Sequence, residues 1–411
     1  MPHRIRPKDL RGFRLFEPIR GLLERLHSIK AHPNRQLHFD QYVALLLLYF
    51  LNPAVKSLRA LQAASALEYT QDTWNIPRVS LGSLSEAGQV FDPQPLREIF
   101  LELAGQIPSG PLPPPMPQDP AQAIRAIAAD ATLLEFLPRM APAFWKNGPR
   151  TGPPPGIKLL AQLNVATGAP IDVAFLDGYG SESETLRAHL RPQVLYLVDG
   201  AYRNFQLLQD IIDQGSSFLL RLRDDTVIQY LEKQPLGQAD LDAGVWEDAR
   251  VRVGSAPHAP KLKQSLRLIR ARVLLPAPHN LNPRRKGDRA RGRGGTAFDV
   301  VLLTDRFDLP ASLLVTLYRG RWHVEIFFRW LKCLMGCKHL LSESPNGIQL
   351  QIYAALIAGL LIYLWTGQKP KQRSLEMIMH FLSGWATLDE LMRYLKQEQE
   401  KQALARLKQK R

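Results

Sequence analysis

The chain has 411 residues, of which 45% are hydrophobic and 22% charged, and this balance is typical of globular proteins of two or three domains rather than of disordered chains. Its 53 Lys and Arg residues exceed its 38 Asp and Glu residues by 15. Such an excess of positive charge indicates a polyanionic partner, either nucleic acid or an anionic membrane surface. A basic protein without such a partner is the alternative.

The apolar stretches of the chain argue against a membrane protein. Tyr42–Leu51 and Ile352–Trp365 are the longest, and both are shorter than the roughly 20 residues that a membrane span requires. We expect them to form buried core helices. The N-terminal MPHRIRPKDLRGF lacks the apolar segment of a signal peptide, and no basic helix with exposed apolar residues is persuasive as a membrane-surface anchor. The sequence therefore predicts a cytoplasmic protein.

The first hundred residues are predicted to be helical. Phe39–Leu51 and Val55–Leu67 are apolar helical stretches separated by Asn52-Pro53, and serines from Ser80 onwards supply N-caps for a further short helix. The proline-rich segment PSGPLPPPMPQDP (Pro108–Pro120) is extended in character and marks the clearest domain boundary.

Beyond the linker the pattern changes to that of an α/β protein with a mixed sheet. The predicted order is three strands in a meander, a helix, a strand, a helix and a strand: Ile124–Phe136, Ile157–Thr167, Ala169–Leu176, Glu182–Leu190, Val194–Val198, Phe205–Gln214 and Ser217–Leu222. A β-rich insertion follows, in which WEDARVRV and LRLIRARVL alternate Arg with apolar residues. It ends in a basic, glycine-rich loop (Arg284–Gly295), and the sheet resumes at Phe298–Thr304.

The segment Leu317–Gly336 (LYRGRWHVEIFFRWLKCLMG) predicts one long helix with an unusual distribution of polar residues. At about 100° per residue, one narrow stripe holds its main polar side chains: Tyr318, Arg321, Glu325, Arg329 and Lys332. The remaining circumference is almost entirely apolar: Trp322, Ile326, Phe327, Phe328, Trp330, Leu331 and Leu334. We expect this apolar arc to pack the helix against the sheet.

Three acidic residues stand in positions where a catalytic site is expected. Asp130 interrupts an uncharged strand, Asp199 follows the buried strand VLYLV, and Glu325 lies in the polar stripe. Each also has a structural interpretation, as a strand-end residue, an Asp-Gly turn and an i,i+4 surface partner of Arg321, respectively. Together they offer hard oxygen ligands on rigid elements, which suit two divalent metal ions that act on a phosphodiester.

These residues resemble the signature of a known family. Tyr318-x2-Arg321-x3-Glu325-x6-Lys332 is similar to the Y-R-E-K motif of bacterial insertion-sequence transposases of the insertion-sequence-four type, within the DDE transposase superfamily. Asp130 in AADATLL and Asp199 in YLVDGAYRN resemble the first and second acid motifs. At the second acid the family often has Asp-Arg-Gly-Tyr, whereas this chain has Asp-Gly-Ala-Tyr and retains the carboxylate. The resemblance extends from about Ile124 to Leu361.

The resemblance implies a ribonuclease-H-like core in which Asp130, Asp199 and Glu325 are catalytic and bind two Mg²⁺ ions, for which Mn²⁺ can substitute. It also implies that Tyr318, Arg321 and Lys332 hold DNA phosphates. In the better-known members of the family the reaction passes through a DNA hairpin at the element end. Two further residues are candidates on weaker grounds: Arg221 for the same phosphates, and Trp246 for stacking on a displaced base, with a core position as the alternative for Trp246.

The residue patterns and the family resemblance together predict how the chain divides into domains. It comprises an N-terminal helical DNA-binding domain (1–107), a linker (108–120), the first part of the core (121–223), the β-rich insertion (224–297), the second part with the Y-R-E-K helix (298–350) and a C-terminal helical region for dimerisation (351–411). The predicted function is cut-and-paste transposition of an insertion sequence by a nucleoid-associated homodimer on double-stranded terminal inverted repeats and target DNA. The alternatives are a domesticated or inactive DNA-binding relative and a ribonuclease-H-like nuclease, which would lack the Y-R-E-K stripe.

Overall fold

A computed structural model describes residues 17–29, 35–52, 54–107, 125–134, 156–222, 226–253, 262–274, 297–334, 340–366 and 372–408. The chain divides into two compact units. The first unit comprises residues 1–108, 133–158 and 327–411, and the second comprises residues 109–132 and 159–326. The predicted linker (108–120) and the basic loop (284–295) lie outside the described residues.

The N-terminal part of the first unit is helical, as predicted. Its helices are α1 (Glu17–Glu24), α2 (Phe39–Leu51), α3 (Leu58–Ser65), α4 (Glu68–Trp74), α5 (Leu81–Val90) and α6 (Gln94–Gly105). The predicted N-cap of α5 is confirmed, because the Ser80 side chain accepts a hydrogen bond of 3.0 Å from the Ser83 backbone N–H. Helix α2 ends before Asn52, whose backbone is extended.

In the described part of the chain nine strands form one sheet, and the predicted mixed α/β architecture is confirmed. The strands are β1 (Ala126–Leu134), β2 (Ile157–Asn164), β3 (Pro170–Asp177), β4 (Leu195–Val198), β5 (Ser217–Arg221), β6 (Ile228–Lys233), β7 (Val245–Val253), β8 (Leu266–Leu274) and β9 (Ala297–Thr304). Their order is β3-β2-β1-β4-β5-β9-β8-β7-β6. Strand β4 pairs in parallel with β1 and β5, whereas the pairs from β5 through β9, β8 and β7 to β6 are antiparallel.

The strands of the predicted insertion therefore extend the sheet of the core rather than form a sheet of their own. Strand β9 lies between β5 and β8 and pairs with both. Side chains alternate between the two faces of a strand, so one face carries the apolar residues that continue from the core into the insertion. They include Tyr196, Val198 and Leu220 from the core, and Ala249, Val251 and Leu268 from the insertion.

Two helices of the second unit contribute to this apolar core, and a third is short. These helices are α7 (Glu182–Ala188), α8 (Phe205–Asp213) and α9 (Gln238–Asp242). Leu186 of α7 and Leu207, Leu208 and Ile211 of α8 are fully buried in the core. Helix α9 packs on β7 within the insertion.

The predicted single helix over Leu317–Gly336 is wrong, because the structure has two helices there. Helix α10 (Ala311–Gly320) ends before Arg321, and α11 (Trp322–Leu334) follows. Backbone hydrogen bonds from Arg321 N–H to Tyr318 O and from Val324 N–H to Arg321 O, both 3.0 Å, tighten the chain into a 3₁₀-like turn. The preceding residue, Gly320, lies so close to Val165 that a Cβ there would be only 2.4 Å from the Val165 side chain.

Not all residues of the apolar arc predicted for this segment are buried in the structure. Trp322 and Ile326 are 40% and 38% exposed, whereas Val324 and Leu331 are fully buried. In the first unit Trp330 packs on α12, because its ring fills the position that a side chain at Gly359 would take. The expectation that the whole arc packs the helix against the sheet is therefore wrong.

The C-terminal helices of the first unit are α12 (Pro345–Thr366), α13 (Gln372–Leu382) and α14 (Leu388–Lys408). Helix α12 is long and apolar enough to span a membrane, but 83% of its most apolar 18 residues are buried in the protein. It packs on α2, α5 and α6. The predicted core helices at Tyr42–Leu51 and Ile352–Trp365 are thus both confirmed.

Candidate active site

The register of three parallel strands places Asp130, Asp199 and Arg221 at one level of the sheet. Ala128 of β1 pairs with Leu197 of β4, so Asp130, two residues further along β1, is level with Asp199, the residue that directly follows β4. Val198 pairs with Leu220 of β5, so the next residue, Arg221, also lies level with Asp199. Adjacent strands are about 4.8 Å apart, so the two carboxylates come from neighbouring strands on the same face.

The Arg321 guanidinium joins two of the predicted carboxylates. Its Nη1 donates a hydrogen bond of 3.0 Å to Asp130 Oδ2, and its Nη2 donates one of 2.9 Å to Glu325 Oε1. The side chain of Arg321 is only 13% exposed. The i,i+4 pair that the sequence left as a structural alternative does form, but it is partly buried and extends to a third residue, 191 positions earlier in the chain.

Asp130 lies in an environment that disfavours its negative charge. Burial raises the pKa of its carboxyl to about 6, the Arg321 guanidinium counteracts this rise, and the negative charges of Asp199 and Glu182 add to it. Asp199 is therefore close enough to Asp130 for the two carboxylates to repel each other. Asp199 also accepts a hydrogen bond of 2.8 Å from the Ala201 backbone N–H, so the predicted Asp-Gly turn and the carboxylate site coexist.

A buried tyrosine, Tyr318, borders the carboxylates. Tyr318 at the end of α10 is buried, which raises its pKa to about 12, and the positive charges of Arg321 and Arg221 oppose that rise. Its ring lies 5.8 Å from the Arg321 guanidinium carbon. The predicted residues Tyr318, Arg321 and Arg221 therefore lie close to one another in the second unit.

The sequence reasoning did not single out Tyr202 or Glu182 as members of the site. Tyr202 is fully buried, and its hydroxyl has no hydrogen-bond partner among the described residues. Burial and the charges of Asp130, Glu182 and Asp199 raise its pKa well above the ordinary range. Tyr202 could have been identified from the sequence, because it stands in the motif YLVDGAYRN together with Asp199. Nothing in the sequence distinguishes Glu182 from any other acid at a helix start.

The chemistry of the three acids suits a hard divalent cation, because each offers carboxylate oxygens and the buried Asp130 lacks full charge compensation. However, within the described part of the chain no three His, Cys, Asp or Glu side chains are gathered closely enough to hold a metal ion. The guanidinium of Arg321 lies between Asp130 and Glu325 and supplies positive charge there.

Trp246 lies on the surface of the insertion, and the core alternative for it is wrong. Its side chain is 52% exposed on β7. The guanidinium of Arg270 lies 5.7 Å from the centre of its ring and also donates a hydrogen bond of 3.3 Å to the Tyr230 hydroxyl. An exposed indole beside a guanidinium offers an aromatic platform with positive charge.

Lys332 and Arg329 follow Glu325 along α11. Both lie in the part of α11 that belongs to the first unit, where Lys332 is half-buried and Arg329 exposed. Lys332 is therefore related to the site by its spacing in the motif, and its role stays a prediction.

Comparison with known proteins identifies the class to which this site belongs. Residues 121–361 match the family described as transposase DDE domain, which is more than half of the chain. The chain belongs to the DDE transposase family. The acids, Arg221, Trp246 and the whole Y-R-E-K motif all fall within the matched range.

Two sequence relatives agree with this assignment. The chain is 25% identical over 247 residues to a probable transposase for insertion sequence element IS5377 from Geobacillus stearothermophilus, a match that covers 59% of each chain. It is 27% identical over 168 residues to the putative transposase y4zB of Sinorhizobium fredii, covering 41% of each. The matches thus span less than two thirds of these relatives. A piggyBac transposase synaptic complex with hairpin DNA matches 96% of this chain and 85% of its own at 12% identity, with a TM-score of 0.40.

Proposed function

We propose that the protein is an active DNA transposase that cuts and joins the ends of its own insertion sequence. The observation that carries this proposal is the grouping of three acids around Arg321, which bonds to Asp130 of β1 and Glu325 of α11 and is influenced by the charge of Asp199, directly after β4. The family membership and the excess of positive charge support the choice of DNA as the substrate.

The three acids are proposed to be the metal ligands of the reaction. Two Mg²⁺ ions, or Mn²⁺ in their place, would activate the attacking oxygen and stabilise the leaving oxygen of the phosphodiester when bound. The chain itself positions these ligands, since Asp130 lies in β1, Asp199 directly follows β4 and bonds to the Ala201 backbone, and Glu325 lies in α11. Arg321 compensates the charge of Asp130 and Glu325 until DNA and cations arrive.

The cationic residues around the acids are proposed to hold the DNA next to the cut. Arg321 is suited to a phosphate because its planar guanidinium donates two parallel hydrogen bonds. Arg221 and Tyr318 lie beside it, and Lys332 joins them by the family motif. Trp246 is proposed to stack on a base displaced from the duplex, for which its exposed ring beside Arg270 is suited.

The remaining predictions complete the proposal. The strand order β3-β2-β1-β4-β5, with β4 parallel to both neighbours, supports a ribonuclease-H-like core. The N-terminal helices would recognise the terminal inverted repeats, and a homodimer would pair the two ends in the nucleoid of the cytoplasm. Helix α12 is buried in its own unit, so a dimer contact in the C-terminal region would involve the turn between α13 and α14, where Trp385 is exposed, and α14, where Met392 is exposed.

The test uses labelled duplexes that carry the DNA on either side of the coding sequence. We expect Mg²⁺-dependent cleavage by the wild-type protein, and loss of cleavage with retained binding in Asp130→Asn, Asp199→Asn and Glu325→Gln. Asp242→Asn is a matched control, because Asp242 is an exposed acid of the same unit with only a local partner. Cleavage that survives Glu325→Gln would refute the site assignment.

The second candidate function is that of a DNA-binding relative that does not cut. The observation that favours it is the occupation of the carboxylates by Arg321. It predicts specific binding of the flanking repeats by the wild-type protein with no cleavage in Mg²⁺ or Mn²⁺, and no effect of the acid substitutions on any DNA product.

A further inference from the structure

Helix α10 carries the proposed phosphate-binding residue Tyr318 and leads directly into a second one, Arg321, but lacks a cap of its own at the start. Its N-cap position is Pro310, which has no side chain able to accept a hydrogen bond. The first backbone N–H groups of a helix have no partner within the helix. A partner must therefore come from elsewhere in the fold.

The missing cap is supplied by the β-rich insertion. Asp240 of α9 accepts a hydrogen bond of 2.8 Å at Oδ1 from the backbone N–H of Ser312, in the first turn of α10. Its other oxygen, Oδ2, accepts one of 3.2 Å from the Gly237 backbone N–H. Although burial opposes its ionisation, these hydrogen bonds keep the pKa of Asp240 below its ordinary value. A carboxylate at a helix N-terminus is also favoured by the helix dipole.

A second contact from the insertion holds the loop that leads into α10. Arg267 of β8 donates hydrogen bonds from Nε and Nη2 to the carboxylate of Asp248 on β7, at 2.6–3.1 Å. Its Nη1 donates to the backbone carbonyls of Arg306 and Leu309, at 3.2 Å and 2.5 Å. The two side chains are only 9% and 2% exposed. A buried, fully bonded ion pair of this kind allows little movement of the loop.

The start and the end of α10 are connected rigidly. The helix has ten residues and rises about 15 Å between the cap and the turn at Arg321. Because a helix transmits displacement of one end to the other, a shift at Ser312 moves Tyr318 and Arg321. Displacements of about 1 Å at a reacting centre cost on the order of a hundredfold in rate.

We infer that Asp240 is a positioning residue, which sets the place of Tyr318 and Arg321 at the carboxylates by capping α10 from the insertion. The insertion thereby has a second role besides any contact with DNA, since it holds the helix of the catalytic core. The inference rests on the proposed function for its effect on cleavage, but the contact between α9 and α10 stands independently of it.

The first arm of the test separates binding from cleavage. In Asp240→Ala we expect the single-turnover cleavage rate of the flanking-DNA duplex to fall about tenfold, with a change in Kd smaller than about threefold, because the cap acts on positioning rather than on the bulk of the phosphate contacts. Asp240→Asn keeps an oxygen acceptor for Ser312 and should recover most of the rate. Asp242→Ala, on the same helix, should match the wild type, since the hydrogen bond of Asp242 comes from the Gln238 side chain of its own helix.

The second arm does not require activity. Amide hydrogen exchange in the protein without DNA should become faster in Asp240→Ala over Ser312–Val315 and also over Tyr318–Val324, with Asp242→Ala unchanged. Unchanged exchange at Tyr318–Val324, or equal rates of cleavage in Asp240→Ala and Asp242→Ala, would overturn the inference. A wild-type protein that does not cleave would refute the proposed function, and the exchange data would then still decide the inference.

A third variant covers the case in which Asp240→Ala does not fold. Asp240→Glu keeps the charge but displaces the carboxylate by one methylene group. It should show the same separation of rate from affinity and the same pattern of faster exchange, to a smaller extent. Cleavage and exchange equal to those of the wild type would overturn the inference.

Discussion

Replacing Asp130 by Asn should stabilise the protein at alkaline pH while it abolishes cleavage. Burial raises the pKa of Asp130 from 3.8 to about 6, so the folded protein binds this proton more tightly than the unfolded chain does. The resulting stability is fully present below pH 3.8 and is lost as the pH rises through about 6. The difference between the two pKa values lowers the free energy of unfolding at pH 8 by about 3 kcal/mol relative to acidic pH, at 1.36 kcal/mol per pKa unit.

The neutral Asn side chain removes the free-energy cost of keeping an ionised carboxylate buried at this position. It still accepts the hydrogen bond that Asp130 receives from the Ala131 backbone N–H at 2.8 Å. Without metal, Asp130→Asn should therefore unfold at a Tm roughly 6–12 °C above the wild type at pH 8, for a unit of 150–250 residues, and the two should converge towards pH 4. The measurement is differential scanning calorimetry in EDTA between pH 4 and pH 8, with Asp242→Asn as the control.

Arg321→Gln should show the opposite trend, because it removes the cation that lowers the pKa of Asp130 and pairs with Glu325. Its loss of stability should be larger at pH 8 than at pH 5. Added Mg²⁺ should raise the Tm of the wild type but not that of Asp130→Asn, since a ligand stabilises only the state that binds it. A Tm of Asp130→Asn at or below the wild-type value at pH 8 would refute the reasoning, because the Arg321 pair would then outweigh the cost of burial.

Three further predictions concern the supporting structure. Arg267→Ala should destabilise the protein by about 3–5 kcal/mol in urea unfolding because it leaves the Asp248 carboxylate buried and unpaired, whereas an Arg267→Met/Asp248→Leu double variant should lie near the wild type. Burial raises the pKa of Asp305, so its contribution to stability is lost as the pH rises, and Asp305→Asn, which keeps an oxygen for the backbone N–H of β5, should flatten the dependence of Tm on pH. Gly359→Ala should cost about 1–3 kcal/mol, because its Cβ would overlap the Trp330 ring, and Trp330→Phe should relieve part of that cost. A double variant as unstable as Arg267→Ala would contradict the first expectation. An unchanged pH profile in Asp305→Asn would contradict the second, and wild-type stability in Gly359→Ala would contradict the third.

Much of the fold could be predicted from local patterns, because the period of apolar residues and the capping residues act over a few positions. The strand at Ala126–Leu134, the cap at Ser80 and the buried helix at Tyr42–Leu51 are examples. The break at Arg321 was not predicted, since the residues around it favour a helix. The close approach of Gly320 to Val165, which is 155 residues earlier in the chain, accompanies that break.

For the site, the sequence alone supplied the candidate acids and the Y-R-E-K spacing, because such motifs are contiguous or ordered along the chain. Only the tertiary structure decided that Arg221 lies level with Asp199, since strand register is set by pairing between distant segments. It also decided that Arg321 bonds to Asp130 across 191 residues and that Asp240 caps α10 across 72. These contacts depend on how distant elements pack, and no local periodicity specifies that packing.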